Sequence, residues 1–273
     1  MMNNVLLVGC GHMGSALIDA WLELKSYSFT IVDPFNYNYL KKKYNKIKNI
    51  QILDIEPTQN QIKKIDIIIF AIKPQVSEKV INKYKNFYFK KNSVIGSIIA
   101  GKKINFFKSN IKNSIQLVRI MPNMPALIGN GVSCFLGNKH LSKNNRKKIN
   151  DLFLKVGKTI WLKNEDQIDM ATAVSGSGPG YIFTLIDSME KASQKIGLSK
   201  KISRELILST ILGSTKLMEY IKKDPKELAN SIAIKGGTTE AGIKVLHKNK
   251  INKTIYETFL AAYKKASLLG KNK

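Results

Sequence analysis

A run of four apolar residues, Val5–Val8, leads directly into Gly9, Cys10, Gly11, His12, Met13 and Gly14, and a helical pattern takes over at about Ser15. This Gly-x-Gly-x-x-Gly spacing between a strand and a helix narrows the possible folds sharply. Gly9 permits the tight turn, Gly11 lets the backbone approach a pyrophosphate, and Gly14 lets the helix pack closely on the strand. The helix N-terminus then presents unpaired N–H groups and a positive dipole end to the phosphates. A bare strand-to-helix corner is the plainer alternative. Asp33, 22 residues beyond Gly11, closes a second apolar run at Phe29–Val32. A carboxylate there can accept both hydroxyls of an adenosine ribose, and it opposes a 2′-phosphate. Asp33 alone favours NADH; Lys41, Lys42 and Lys43 pull toward NADPH. The structural alternative is a turn aspartate followed by Pro34.

Further strands are expected within Ile65–Ile72, Ser93–Ile99, Gln116–Ile120 and Gly131–Leu136, with helical stretches at Lys41–Lys48, Val76–Phe87 and Ser142–Val156. The run at 65–72 does not alternate apolar with polar residues, as expected of a strand buried on both faces. Strands spaced by helices imply an α/β, Rossmann-like domain with a parallel-rich sheet. After Trp161 no strand competes: helices are expected over 181–196, 202–221, 226–234, after Gly236–Gly237, and over 255–269. The chain is therefore divided into residues 1–162, a dinucleotide-binding domain, and 163–273, an all-helical domain for substrate binding and dimerisation. Ile182, Leu185, Ile207, Leu212 and Leu217 are more apolar surface than so small a helical body readily buries, which points to a partner subunit.

Composition excludes several other classes. The 45 basic residues exceed the 19 acidic ones by 26, but only Arg119, Arg146 and Arg204 are arginine. The lysines are scattered, without interleaved aromatics or a zinc-finger spacing, so a solvated surface is expected rather than a specific nucleic-acid partner. Such a field still draws in a small phosphorylated ligand. Cys10 and Cys134 are too few for a disulfide scaffold or a metal cluster. No apolar run approaches the ~18 residues needed to cross a membrane. The N-terminus enters its first strand without a basic, signal-like segment, and a cytoplasmic protein is expected.

Five ordered motifs carry a resemblance that covers essentially the whole chain. They are Gly9–Gly14, Phe70–Gln75, Met121–Gly131, Ala173–Tyr181 and Gly236–Gly242. The sequence resembles pyrroline-5-carboxylate reductases, which reduce the cyclic imine 1-pyrroline-5-carboxylate to L-proline with NADPH or NADH in the last step of proline biosynthesis. The resemblance implies an interlocked homodimer, often assembled further into decamers. It implies coenzyme contacts at residues 9–14 and at Asn36, Thr58, Ala71, Ile72, Lys73 and Ala100. It implies that the substrate carboxylate is held by Ser175, Gly176, Ser177, Gly178 and Pro179 together with Gly237, Thr238 and Thr239. Related β-hydroxyacid dehydrogenases share the first motif and use a lysine in a Gly-rich helix that this chain lacks.

The residues themselves support this chemistry. Hydride transfer depends on holding two carbons close, so the protein's main task is positioning. Ser175–Gly178 precede a helix, and their N–H and hydroxyl groups can clamp a carboxylate. Thr239 is the one nearby hydroxyl to nominate as proton donor or relay; threonine is a weak acid, so a hydrogen-bonding role is favoured. Helix capping is the plainer reading of both turns. Departures from the family pattern cluster on the substrate side: Lys222–Lys223, Asn230–Ser231 and Ile234–Lys235, with His12 and Thr58 each standing where asparagine is usual. A dinucleotide sensor with weakened catalysis, or another imine or keto-acid reductase, remains the alternative to weigh.

Overall fold

The computed structural model describes residues 2–111 and 116–270. Its strands are β1 (Asn3–Val8), β2 (Tyr27–Val32), β3 (Ile50–Leu53), β4 (Ile67–Phe70), β5 (Val94–Ser97), β6 (Gln116–Met121), β7 (Gly131–Gly137) and β8 (Gly157–Trp161). They form one sheet in the order β3-β2-β1-β4-β5-β6-β7-β8. The first six run parallel, β7 is antiparallel to β6, and β8 is parallel to β7. The expected parallel-rich, Rossmann-like sheet is present, with a reversed pair added at one side.

The unbroken apolar runs are explained by two cores, one on each face. Val5, Leu7, Ile67, Ile69, Val94 and Val118 pack on one side. Their neighbours Leu6, Val8, Ile68, Phe70, Ile95 and Leu117 pack on the other. Because successive side chains in a strand point to opposite faces, a sheet covered on both sides needs apolar residues at every position. The strands not anticipated, β3 and β8, lie at the two edges of the sheet. None of their residues is fully buried, so neither shows the continuous apolar signal of β1 or β4.

The helices of this region are α1 (His12–Trp21), α2 (Tyr37–Lys43), α3 (Gln59–Ile62), α4 (Ser77–Lys83), α5 (Ile104–Asn110), α6 (Lys143–Leu154) and α7 (Glu165–Ala171). Helix α1 is fixed by Trp21, fully buried, whose indole N–H donates to the Leu152 carbonyl at 2.8 Å. Beyond α7 the chain is helical: α8 (Gly178–Lys195), α9 (Lys200–Ile221), α10 (Pro225–Ile232), α11 (Thr238–Lys248) and α12 (Ile251–Leu269). Contacts divide the chain into two compact units, Met1–Ser177 with Ala262–Lys273, and Gly178–Ala261.

Within the second unit, α8 and α9 are joined by a two-pronged ion pair. Arg204 donates from Nε and Nη2 to the two carboxylate oxygens of Glu190 at 2.7 and 3.0 Å. The paired guanidinium holds the Glu190 carboxyl below the usual carboxylate range. Little else there is covered: Ile182, Phe183 and Leu185 on α8 and Leu206, Leu208, Leu212 and Leu217 on α9 are all exposed. Among the described residues no helix is long and apolar enough to cross a membrane.

Candidate active site

Register decides where the sequence motifs gather. Val8 pairs with Val32 and with Phe70, Val32 pairs with Leu53, and Phe70 pairs with Ser97. The last residues of five parallel strands thus lie in one row. The segments 9–14, 33–36, 54–58, 71–73 and 98–100 all leave the sheet at its C-terminal edge. Strand order reverses between β1 and β4, and in open α/β sheets ligands bind in the crevice at such a switch point.

Gly9 occupies that switch point with φ +90°, a conformation that disfavours side chains. A Cβ there would stand 2.7 Å from the Ala71 carbonyl oxygen and 2.6 Å from Ile72 Cγ2. Gly9 therefore touches the segment that follows β4. A Cβ on Gly14 would come within 2.6 Å of the Gly9 carbonyl oxygen, so this glycine is what lets α1 close on the turn. The first bond within the helix runs from Ser15 N–H to Gly11 O at 2.8 Å. The N–H groups of His12, Met13 and Gly14 precede it and have no carbonyl of their own helix to meet. His12 is exposed, and Met13 leans on the core. Cys10 is buried, and burial pushes its thiol up to about 11, so at neutral pH it is protonated and a poor nucleophile.

Asp33 is buried, and its carboxylate accepts from Cys10 N–H, Asn36 N–H and Asn36 Nδ2. Asn36 stands at the N-cap position of α2, its side chain bonded to Asp33 rather than to the helix. Thr58 is at the start of α3, where its hydroxyl and Gln61 form a reciprocal cap. Lys73 opens the short 74–76 turn and is exposed, as is Ala100 beyond β5.

The first substrate motif is fastened to the same edge by a residue of the Met121–Gly131 motif whose role the sequence does not show. Asn123, two residues beyond β6, donates from Nδ2 to the Ser175 hydroxyl and carbonyl at 3.2 and 3.3 Å, and accepts from Val132 N–H at 2.7 Å. Ser175 lies in a π-helical turn, Thr172–Gly176, that extends α7. The Ser177 N–H donates to the Thr172 carbonyl at 2.8 Å to close that turn. Of the N–H groups expected to face a carboxylate, Ser177's is therefore already committed. Gly176 packs on Met121, whose Cε would be 2.6 Å from an added Cβ. Gly178 and Pro179 begin α8.

Helix α7 is itself anchored from below. Arg119 on β6 is buried and donates to Glu165 at 2.5 Å and to Asp169 at 2.9 Å. The other Glu165 oxygen accepts from Ile104 N–H at 2.8 Å. An arginine inside an apolar strand was the available signal, because such a charge requires partners. In the second unit, Gly236 has φ +79° and Gly237 caps α11, whose first residues are Thr238 and Thr239. Glu240 reaches back to the Gly236 N–H at 2.8 Å. That bond, with Lys244 alongside, holds the Glu240 carboxyl below the usual range. The Thr238 and Thr239 hydroxyls make no hydrogen bond to another described residue. Among the described residues no cluster of three or more His, Cys, Asp or Glu is arranged to hold a metal.

A parallel-rich sheet with a Gly-rich turn at its switch point, followed by an all-helical region, defines a two-part, Rossmann-like protein of the dinucleotide-binding class. Comparison with known proteins narrows the class. The family model described as pyrroline-5-carboxylate reductase dimerisation matches residues 165–269, and one described as NADP oxidoreductase, coenzyme F420-dependent, matches 4–101. The pyrroline-5-carboxylate reductase of Haemophilus influenzae is 30% identical over 263 residues, covering 94% of each chain. That of Aquifex aeolicus is also 30% identical, covering 96% of each. The crystal structure of Plasmodium falciparum pyrroline carboxylate reductase with NADP bound aligns with a TM-score of 0.83 at 28% identity, covering 99% of this chain and 100% of that one. The chain belongs to the pyrroline-5-carboxylate reductase family. It is an NAD(P)H-dependent oxidoreductase of proline biosynthesis.

Proposed function

We propose that the protein reduces 1-pyrroline-5-carboxylate to L-proline with the dinucleotide held by residues 1–162 and the substrate held by 163–273. The observation that carries this reading is the shared C-terminal edge of β1, β2, β4, β5 and β6, where the Gly-rich turn and the Asn123-held Ser175 both stand. From β1 to β6 is three strand spacings, about 14 Å. The N–H groups at the start of α1 bind the pyrophosphate. Asp33, Asn36 and Thr58 lie on the adenosine side, and Ala71, Ile72, Lys73 and Ala100 line the path toward β6. Both NADPH and NADH serve; the Plasmodium falciparum relative with NADP bound supports the first of these.

The bound reduced nicotinamide supplies a hydride to the imine carbon, and the ring nitrogen ends with one proton. Ser175, Gly176, Ser177, Gly178 and Pro179, with Gly237, Thr238 and Thr239, are assigned to the substrate carboxylate and ring. A substrate that arrives as the iminium needs no strong protein acid, which suits Thr239 as a hydrogen-bond partner of the ring nitrogen. Mixing the purified protein with the imine and each coenzyme, and following loss of reduced-nicotinamide absorbance, tests the reaction directly. In that assay Thr239→Val is expected to lower kcat/KM on the order of 10-fold, the loss of one hydrogen bond. The 10²–10⁴-fold loss expected for a true general acid would assign the proton to Thr239 instead.

The uncovered leucines of α8 and α9, and the dimerisation family model that spans them, support a subunit pair. A homodimer is the unit of activity, with decamers as a higher assembly. Sedimentation at micromolar protein should show a dimer or larger, with activity falling as dilution produces monomer. A stable, fully active monomer would refute this.

A further inference from the structure

Asp33 directly follows β2 at the edge assigned to the dinucleotide, yet the residue is only 6% exposed and its carboxylate bonds to protein donors. Oδ2 accepts the Cys10 N–H at 2.7 Å and an Asn36 Nδ2 hydrogen at 3.1 Å, and Oδ1 accepts the Asn36 N–H at 3.0 Å. A carboxylate offers about four lone-pair sites, and three of these are filled by protein donors. Accepting from two ribose hydroxyls needs at least two open sites, and one remains here. Bonds to an ionised acceptor are the strong ones, and releasing buried N–H groups to make room would cost more still. What the side chain does achieve is local. Cys10 sits between Gly9 and Gly11, so the 2.7 Å bond ties the Gly-rich turn to the end of β2 across the Val8–Val32 pair.

We propose that Asp33 is a positioning residue for the Gly-rich turn and does not select between the two coenzymes. The residues that follow it carry no charge: Pro34, Phe35, which is 95% exposed, and half-buried Asn36. The end of β2 therefore turns no anion outward against a 2′-phosphate. This reverses the expectation drawn from spacing alone, in which Asp33 favours NADH.

The inference rests on the dinucleotide reading of this edge, and one experiment separates the two. Binding of NADH and of NADPH is measured by fluorescence titration for the wild type, Asp33→Asn and Asp33→Ser, together with KM for each coenzyme. Loss of the Cys10 bond in Asp33→Ser is expected to weaken both coenzymes about tenfold, and Asp33→Asn, which keeps one acceptor oxygen for Cys10 N–H, less, with the affinity ratio in each within about twofold of the wild-type ratio. The ratio is taken within one preparation, so a partly unfolded variant does not distort it. A ratio shifted tenfold or more toward NADPH in Asp33→Ser, or affinities for both coenzymes left unchanged, overturns the proposal. A wild-type protein that binds neither dinucleotide overturns the reading of the edge itself.

Discussion

Gly11→Ala is expected to leave the fold and the thermal midpoint unchanged while weakening coenzyme binding about 100-fold, the scale of loss when bound groups are displaced by about 1 Å. Gly11 has φ −73° and ψ −159°, values open to alanine, and a Cβ built on it meets nothing within 4 Å. The methyl group therefore costs the unliganded protein nothing. It projects into the open space beside the N–H groups of His12, Met13 and Gly14, where a pyrophosphate has to make its closest approach. Gly9→Ala is the contrasting control: positive φ and the Ala71 carbonyl at 2.7 Å make that change a defect of folding as well as of binding. Fluorescence titration with NADPH, run beside a melting curve, separates the two. Wild-type affinity in a folded Gly11→Ala protein would remove the pyrophosphate from this turn.

The largest loss of stability should come from Arg119→Ala, about 3–5 kcal/mol, because removing one partner of a buried ion pair strands the other charge. Arg119 is 4% exposed, and Asp169, to which it donates at 2.9 Å, is 1% exposed. Against a total stability of roughly 5–15 kcal/mol this is a large fraction. The loss should be read by denaturant unfolding. The double variant Arg119→Met with Asp169→Asn should recover a good part of it, since no fully buried charge is then left unpaired; Glu165, the other partner, is partly exposed and keeps the Ile104 N–H. Helix α7 carries the turn that holds Ser175, so imine KM should rise in the single variant in step with the loss of stability. An Arg119→Ala protein that unfolds within 1 kcal/mol of wild type would mean that packing, not this pair, anchors α7.

Much of the fold was legible because its signals are local. Strands buried on both faces announce themselves as unbroken apolar runs, as at Ile67–Phe70. The β1–α1 turn announces itself through three glycines at fixed spacing. The edge strands β3 and β8 escaped, because a strand that covers one face with four or five residues looks like a loop with a few apolar positions. The reversal at β7 also left no trace. It depends on how the Pro122–Asn130 segment returns the chain, with Gly129 at φ +72°, rather than on any periodicity in β7 itself. On the substrate side the motifs were legible, but not which of their residues hold the others in place. Asn123 bonds Ser175 and Val132, and Glu240 accepts from Gly236 N–H beside its Lys244 ion pair, contacts that no spacing rule requires.

The sequence by itself determined the class of ligand, the parallel-rich sheet and the helical C-terminal region, since each is written in short-range patterns of glycine and apolar residues. Only the tertiary structure decided what the polar groups do there. Asp33 sits at a strand end by spacing alone, but the donor it meets, Cys10, is 23 residues away and arrives only once β1 and β2 pair in register. Arg119 finds its carboxylates 46 and 50 residues further on, after the chain has reversed through β7 and returned in α7. A carboxylate has few acceptor sites, and whichever donors reach them first set its role. Which donors those are is a property of the folded arrangement rather than of any stretch of the chain.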